Sequence, residues 1–315
     1  MILSVSRRTD VPAWYSDWFF ERLRAGYADV RNPYRAGQVS RVPLTPDAVD
    51  GIVFWTKNPL PMLNRLRELG NYAYYFQFTL TPYDGKLEPR LPSKRDVLVP
   101  TFRQLSDLAG PHRAVWRYDP VILTEEWTME RHQHCFREMA EDLDGATDEC
   151  IVSFVDDYAC MRQRMRQAGG RAPTESEAGM LLGSFAETAL EHGMKLSACC
   201  EAALLAGRES GKDAWPARCI DANRLSRIAG CHIEAPPDTN QRAGCCCAKS
   251  VDVGAYNTCQ TGCVYCYATH SAGRLDVRVG RYAPDSSLLC DRLLPSDRVV
   301  TRSVRRYADD QTTLF

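Results

Sequence analysis

Short apolar runs, typical of buried strands, alternate along the chain with amphipathic segments typical of helices. In residues 12–26, for example, Trp14 and Trp18 recur on one face, and residues 129–143 and 175–193 show the same periodicity. Strands that alternate with helices form parallel sheets covered by those helices, so the predicted class is α/β. The predicted strands are residues 2–6, 51–56, 74–80, 114–119, 150–156, 195–200 and 251–256.

The number of strand–helix units favours a barrel. Six or seven units in about 250 residues suit a complete or partial (β/α) barrel better than a short doubly wound sheet. An open Rossmann-like sheet is the alternative, but no G-x-G-x-x-G sequence follows any predicted strand. We expect a barrel domain over residues 1–274 and an irregular, polar C-terminal tail over residues 275–315.

The amino-acid composition excludes several classes of protein. Of 315 residues, 44% are hydrophobic and 25% are charged, and the net charge is −1, so bulk charge indicates neither a nucleic-acid binder nor a membrane-surface protein. No apolar run is long enough to span a bilayer, and the N-terminal sequence lacks the pattern of a signal peptide. We therefore expect a cytoplasmic protein without membrane association. In a reducing cytosol, clusters among its 14 cysteines would more often hold metal than form disulfides.

Polar side chains follow most of the predicted strands. In (β/α) barrels the active site lies at the carboxyl ends of the strands, so these residues are expected to line one pocket. Each residue alone could equally be a solvated loop charge or part of a structural ion pair. The basic members favour an anionic substrate, because guanidinium groups bind carboxylate and phosphate in a bidentate manner. The candidate catalytic residues are Arg7, Asp10, Lys57, Arg117, Asp119 and Asp156, and the candidate cofactor contacts at these ends are Asn58 and Gln77.

Residues 256–270, YNTCQTGCVYCYATH, place Cys259, Cys263 and Cys266 at the spacing C-x3-C-x2-C. Three interpretations compete. The thiols could be small buried residues, although polar neighbours favour an exposed turn. They could bind structural zinc, which needs a fourth ligand such as Cys247. They could also hold an iron–sulfur cluster in which one iron has no protein ligand.

The motif resembles the signature of radical SAM enzymes, and its GCVYCYA segment resembles the version found in the spore photoproduct lyase group. The resemblance implies that the three cysteines hold a [4Fe–4S] cluster whose fourth iron binds S-adenosylmethionine. It also implies reductive cleavage of that cofactor to a 5′-deoxyadenosyl radical, with an electron donor such as flavodoxin or ferredoxin. Tyr265 would lie against the adenine, and the neighbouring Tyr267 is a further candidate cofactor contact.

In that superfamily the motif follows the first strand, whereas here it lies near the C-terminus. A circularly permuted barrel reconciles the two, with residues 251–256 pairing beside residues 2–6. The chain also resembles an uncharacterised bacterial family that shares the segments SVSRRTD, FWTKNP and RYDP and the C-terminal cysteine motif.

Four further cysteines resemble positions at which that family also carries cysteine, and they are candidates for a second iron–sulfur cluster or a zinc site. Alternatively, they are a buried strand residue and a redox-sensitive loop. Several others, including Cys200, are interpreted as small buried apolar residues. The four candidate ligands are Cys199, Cys219, Cys245 and Cys247.

The favoured function is therefore a radical SAM enzyme with an unknown, possibly nucleic-acid, substrate. The alternative is a non-catalytic zinc- or iron–sulfur-binding accessory protein of nucleic-acid metabolism. The C-terminal residues Gln311–Phe315 resemble the motif by which bacterial replication and repair proteins bind the DNA sliding clamp. Leu314 and Phe315 could instead pack back on the barrel. Clamp binding would indicate a DNA substrate and a role in DNA repair.

Overall fold

A computed structural model describes residues 1–205 and 214–312. All seven predicted strands are present, and the last of them is shorter than predicted. The strands are β1 (Ile2–Val5), β2 (Tyr27–Arg31), β3 (Gln38–Pro43), β4 (Gly51–Thr56), β5 (Tyr74–Thr79), β6 (Ala114–Val121), β7 (Glu149–Phe154), β8 (Lys195–Ala198), β9 (Trp215–Pro216), β10 (Cys231–Ile233), β11 (Ser250–Asp252), β12 (Arg298–Thr301) and β13 (Ala308–Thr312).

Helices connect most of the strands. They are α1 (Val11–Trp14), α2 (Ser16–Ala25), α3 (Leu60–Leu63), α4 (Val99–Ala109), α5 (Met129–Asp142), α6 (Arg162–Gln167), α7 (Glu175–Glu191), α8 (Ala202–Leu205), α9 (Ala222–Ala229) and α10 (Ala272–Val279). Two short 3-10 helices (Leu66–Leu69 and Pro111–Arg113) and a π-helical turn (Lys94–Leu98) complete the helical elements of the described residues. Within those residues, no helix combines the length and the apolar character that crossing a bilayer would require.

Eight strands form one parallel sheet in the order β11-β1-β4-β5-β6-β7-β8-β9. The predicted pairing of the strand near residue 251 with the first strand is confirmed, because Leu3 lies opposite Val251 in a parallel register. In the described part of the chain no pairing joins β9 to β11, so the sheet is open where a complete barrel would close. The architecture is a large parallel sheet flanked by helices.

The helix-facing side of the sheet carries the larger apolar core. Alternate strand residues point to opposite faces, and on this face Phe54 stacks on Phe76 with ring centroids 4.6 Å apart. Trp116 of β6 stacks on Phe136 of α5 at 4.8 Å, and Phe136 stacks on Phe185 of α7 at 4.2 Å. These rings fix α5 and α7 against the centre of the sheet.

The other face changes character along each strand. Near the amino ends it is apolar, with Val53, Tyr75 and Val115 in a second buried cluster, which Leu225 of α9 joins. Gly51 allows this approach, because a Cβ atom there would lie 2.6 Å from the Leu225 side chain. Towards the carboxyl ends the same face carries polar groups. On this face of the sheet the polar side chains therefore lie at the carboxyl ends of the strands.

The amphipathic segment 12–26 forms two helices, α1 and α2, where one was predicted. The chain breaks at Tyr15, which leaves the helical conformation with φ −139° and directs its hydroxyl to the carbonyl of Thr258. Trp18 is buried as predicted, and α2 ends at Gly26 in the left-handed conformation, φ 76°. The break therefore links the first helices to the cysteine loop.

The C-terminal segment predicted to be irregular contains regular structure. β12 pairs with β3 in a three-stranded sheet with β2, and β13 pairs with β10. Arg31 of β2 fastens the segment through ion pairs with Asp291 and Asp297 at 2.7 and 2.6 Å. Local sequence patterns do not reveal such pairings, because the partners lie far apart in the chain, with Ile233 opposite Ala308 and Gln38 opposite Arg298. Of the predicted clamp motif, Gln311 and Thr312 belong to β13, and residues 313–315 lie outside the described residues.

The junction of β11 and β1 leaves no room for a side chain at Gly254. A Cβ atom there would lie 1.9 Å from Oγ of Ser6 and 2.5 Å from its Cβ. We expect Gly254→Ala to lower the free energy of unfolding by about 1–3 kcal/mol or more, because Ser6 is buried and cannot move aside. Urea denaturation measures this effect. The control is Gly183→Ala in α7, where the added methyl group meets no atom within 4 Å and should be neutral or stabilising. Equal stabilities for Gly254→Ala and wild type would contradict this packing.

Candidate functional site

The carboxyl ends of the parallel strands surround a cavity of about 840 Å³. This volume is in the range of small-molecule and cofactor sites. Segments around Arg31 and Arg242 contribute walls beside the strand ends. All of the predicted catalytic residues line this cavity, as expected for residues that end parallel strands on one face: Arg7, Asp10, Lys57, Arg117, Asp119 and Asp156.

Two of the predicted cofactor contacts, Asn58 and Gln77, are not among the lining residues. The Asn58 side chain accepts a hydrogen bond from the backbone of Leu60, the first residue of α3, at 3.2 Å. Gln77 lies buried beneath the cavity, donates to the carbonyl of Cys219 at 2.9 Å and accepts from Arg117 at 3.3 Å. Both side chains hold neighbouring backbone or side-chain groups in place.

The loop that follows β11 carries three thiols into the cavity. Cys259, Cys263 and Cys266 all belong to its lining. The loop closes on itself through hydrogen bonds from the backbone of Asn257 to Ala268 and from the backbone of Cys266 to Cys263, at 2.9 and 3.1 Å. The three thiols are therefore presented by one compact turn.

Neighbouring elements hold this turn from both sides. Trp14 donates its indole N–H to the hydroxyl of Thr261 at 3.0 Å, and Arg164 of α6 donates to the carbonyl of Cys266 at 2.6 Å. The hydroxyl of Tyr267 donates to the carbonyl of Arg7 at 2.7 Å, which ties the loop to the residues after β1. These contacts fix the direction in which the turn faces.

The environments of Cys259 and Cys263 disfavour the ionised form of these two thiols. Burial, together with the nearby Cys266 and Asp10, raises the pKa of Cys259 to about 12. Burial likewise raises the pKa of Cys263 well above its ordinary value, although the Lys57 ammonium group opposes this shift. Without a bound cation these two thiols are neutral at pH 7, so thiolate formation there requires a positive ligand.

A buried carboxylate that sequence reasoning missed, Glu88, organises the floor of this region. Its oxygens accept hydrogen bonds from Lys57 at 2.7 Å, from Thr81 at 2.9 Å, and from Lys94 and the Tyr265 hydroxyl. Burial alone would raise the pKa of Glu88, but the two ammonium groups outweigh it and hold that pKa at about 2. Glu88 lies in a loop without periodicity, so only its three-dimensional partners identify it.

Tyr265 and Lys57 are positioned by this network. The Tyr265 hydroxyl is committed to Glu88, and the Lys57 ammonium group lies 5.4 Å from the centre of the tyrosine ring. Both residues line the cavity directly above the buried carboxylate. The aromatic residue that precedes the last cysteine of the motif is therefore held rigidly.

Asp10 lines the cavity with both carboxylate oxygens occupied. One oxygen accepts from the backbone of Ala13 at 3.0 Å and caps α1, and the other accepts from the backbone of Lys57 at 2.7 Å. Burial raises the pKa of Asp10 to about 6 against these hydrogen bonds. These contacts place the loops after β1 and β4 relative to each other.

The acidic residues after β6 and β7 are paired with arginines. Asp119 forms an ion pair with Arg117 and accepts a hydrogen bond from Ser153. Burial opposes the ionised form of Asp119, but the Arg117 guanidinium prevails and lowers its pKa. Asp156 pairs with Arg242, which draws the segment after β10 over the end of β7. The paired charges form one wall of the cavity.

The second set of cysteines predicted as ligands gathers on this wall. Cys219 donates to the sulfur of Cys199 at 3.4 Å, and Cys247 contacts both Cys219 and Cys245. Cys200 lies 3.8 Å from the sulfur of Cys199, so a residue interpreted from sequence as apolar joins the group. Nothing in the sequence distinguished Cys200 from the buried cysteines.

Hydrogen bonds couple this second thiol set to its surroundings. Cys199 donates to Cys200, which raises the pKa of Cys199 and lowers that of Cys200. Arg117 donates to the sulfur of Cys219 at 3.0 Å. In the described residues, no three or more His, Cys, Asp or Glu side chains stand close enough together to hold a metal ion in their present positions. Both thiol sets nevertheless line the same cavity, and they stay candidate ligands that would have to move closer together around a metal.

The fold and the site together define an α/β protein with a thiol-lined cavity at the carboxyl end of a parallel sheet. The chain belongs to the family described as a domain of unknown function (DUF1848), whose match covers residues 2–268. This match includes the seven predicted strands and the cysteine loop through Ala268. No curated protein and no solved structure matches the chain.

We expect Glu88→Gln to lower the free energy of unfolding at pH 7 by about 3–5 kcal/mol, because it leaves two buried ammonium groups without their carboxylate. The pKa of Glu88 is lowered from 4.5 to about 2, so its stabilisation is present above pH 4.5 and is lost towards pH 2. The difference between variant and wild type should shrink over that interval. Denaturant titrations at several pH values measure it, with the exposed Glu125→Gln as control. A pH-independent difference would contradict the assignment.

Proposed function

We propose that the chain is a radical SAM enzyme whose Cys259, Cys263 and Cys266 hold a [4Fe–4S] cluster beside S-adenosylmethionine. One observation carries the proposal. Three thiols at the spacing C-x3-C-x2-C, on a single turn, line a cavity at the carboxyl ends of a parallel sheet. In α/β folds with parallel sheets this end is where cofactors and substrates bind.

The donor set is consistent with this cofactor. Sulfur ligands select iron–sulfur clusters, zinc or copper(I) over hard cations. A structural zinc site needs four protein ligands, and the turn provides only three. Three thiolates instead suit a cluster that keeps one iron open for another ligand. Neutral, buried thiols such as Cys259 and Cys263 would lose their protons when the positive metal binds.

When bound, the cluster and S-adenosylmethionine together would supply a radical that removes a hydrogen atom from the substrate. The protein's contribution is position and shielding. Arg164 and Trp14 hold the turn, and the network of Glu88, Lys57 and Tyr265 fixes the aromatic ring next to the last thiol. In the proposed enzyme, Tyr265 and the more exposed Tyr267 line the space for the cofactor.

The strand order supports a permuted, partial barrel of radical SAM type. β11 leads directly into the cysteine turn and pairs with β1, so it takes the place of a first strand. From there the sheet continues in chain order from β1 to β9. Joining the chain's two ends and cutting it before β11 would give the usual sequence of strand, cysteine turn and further units.

The second thiol set supports a further metal centre in the same cavity. The four cysteines expected as ligands line one wall of the cavity, and the 3.4 Å approach of the Cys219 sulfur to that of Cys199 supports a shared ligand, around which the other thiols would have to close. Cys200 competes for membership of this set because its sulfur lies 3.8 Å from that of Cys199, within reach of a weak S–H hydrogen bond. A reductant such as flavodoxin or ferredoxin would supply the electron for the proposed reaction.

The experiment is anaerobic reconstitution with iron and sulfide, followed by incubation with S-adenosylmethionine and dithionite. Wild-type protein should bind iron and release 5′-deoxyadenosine, which chromatography quantifies. Cys259→Ala, Cys263→Ala and Cys266→Ala should each reduce that product more than ~100-fold, because no spare ligand lies in the turn. The exposed Cys246, which is outside the cavity lining, provides the matched control as Cys246→Ala.

Full cleavage by any one of the three variants would defeat the assignment of ligands. Colourless protein with stoichiometric zinc and no product would favour the accessory-protein alternative. Cys219→Ala distinguishes the second metal centre from the first. It should lower the iron content partially, while cleavage of S-adenosylmethionine remains measurable.

A further inference from the structure

Two residues of the cavity lining each have a buried polar atom without a hydrogen-bond partner in the described chain. Four buried side-chain polar atoms lack a partner among the described residues, and two of them, Oγ1 of Thr9 and Nε1 of Trp55, belong to cavity-lining residues. Thr9 is only 5% exposed. A buried polar group without a partner is costly, so native structures leave few of them. Both atoms are covered by neighbouring protein atoms, so a ligand in the cavity would become their partner after the side chains of Thr9 and Trp55 shift.

Two guanidinium groups flank the same indole ring, and they differ in what they bind. Both Arg7 and Arg117 lie 5.0 Å from the ring centre of Trp55. Arg117 is fully engaged with Asp119, Gln77 and Cys219. Of the described carboxylates, only that of Asp238 lies within 4.0 Å of the Arg7 guanidinium, at 3.9 Å, which is beyond hydrogen-bonding distance; the Asp252 carboxylate also acts on Arg7 electrostatically. Arg7 thus offers free donors beside the unsatisfied Trp55.

The carboxylate nearest to Arg7 is already occupied by its own turn. Asp238 accepts from the backbone of Asn240 at 3.1 Å and from the side chain of Gln241 at 2.9 Å. The backbone of Arg7, in contrast, is fixed on both sides, since its N–H donates to Asp252 and its carbonyl accepts from Tyr267. The backbone of Arg7 is therefore fixed, while the N–H groups of its guanidinium make no hydrogen bond within the described chain.

The free groups share one chemical character. An indole N–H and a guanidinium can only donate, and a threonine hydroxyl can also donate. A partner that satisfies all of them must present acceptor oxygens, and the charge of Arg7 favours an anion. Arg7 is bonded through its carbonyl to Tyr267, the residue that follows Cys266, so an anion held there lies next to the cysteine turn.

We infer that Arg7, Thr9 and Trp55 form a subsite for an oxyanion, the phosphate or carboxylate group of the substrate. Its role in a reaction rests on the proposed function, because the subsite would place that substrate beside the cofactor. The binding of the anion itself requires neither iron nor S-adenosylmethionine. Arg117 supports the subsite by packing against the same Trp55 ring, 5.0 Å from its centre.

The test is calorimetric titration of the purified protein with inorganic phosphate and, separately, with acetate, against chloride at matched ionic strength. Saturable binding above the chloride control is expected, and the tighter of the two anions identifies a phosphate- or carboxylate-bearing substrate. Arg7→Ala should weaken binding about tenfold or more, because it removes charge-assisted hydrogen bonds. Arg95→Ala, at an exposed arginine outside the cavity, should leave binding unchanged.

Thr9→Val removes one hydroxyl with little change of shape and serves where Arg7→Ala does not fold. It should weaken binding several-fold. Metal content is measured on every variant. Binding no tighter than chloride, or equal binding by wild type and both variants, would overturn the subsite. Loss of metal by Arg7→Ala with unchanged anion binding would also overturn it, since Arg7 would then serve the second thiol set.

Failure of this inference and failure of the proposed function give different results. If reconstituted protein releases no 5′-deoxyadenosine but phosphate binding depends on Arg7, the subsite stands and the proposed reaction falls. If cleavage occurs but neither anion binds, the reaction stands and the substrate class falls.

Discussion

The structure depends on the carboxylate of Asp252 at the junction of β11 and β1. One of its oxygens accepts from the Ser6 hydroxyl and the backbone of Gly254, and the other accepts from the Ser4 hydroxyl and the backbone of Arg7, all at 2.7–3.0 Å. Four hydrogen bonds to one ionised group are strong because each is charge-assisted. They join strands about 250 residues apart in sequence and bring the start of the chain to the cysteine turn.

The cavity follows from this junction and from the polarity change along the strands. Apolar residues fill the amino half of the sheet face that carries the cavity, so the cavity opens over the carboxyl half of that face. The charges there are mostly matched within the chain, as in Asp119 with Arg117 and Glu88 with Lys57. Matched charges position loops, and the donors of Arg7, Thr9 and Trp55, which have no hydrogen-bond partner in the described chain, form the proposed anion subsite.

Sequence periodicity predicted the strands and helix ends that depend on residues close together in the sequence. The strand at 51–56 and the helix that ends at Gly26 follow from apolar runs and from a glycine in the left-handed conformation. The pairing of β11 with β1 was predicted from the expectation of a permuted barrel. Strand ends also placed the six predicted catalytic residues in one cavity, although periodicity cannot reveal that a lining residue such as Asp10 already has both carboxylate oxygens hydrogen-bonded.

Other features that depend on residues distant in the sequence were not predicted. Glu88, Cys200 and the pairing of β12 with β3 carry no local signal, because their partners come from other parts of the chain. The central claim, that the cysteine turn holds a cluster with an open iron, is tested most directly by electron paramagnetic resonance. The account predicts that the spectrum of reconstituted, dithionite-reduced protein changes when S-adenosylmethionine is added, because the cofactor binds the iron that lacks a protein ligand. A cluster spectrum that the cofactor leaves unchanged, or no cluster signal at all, would contradict it.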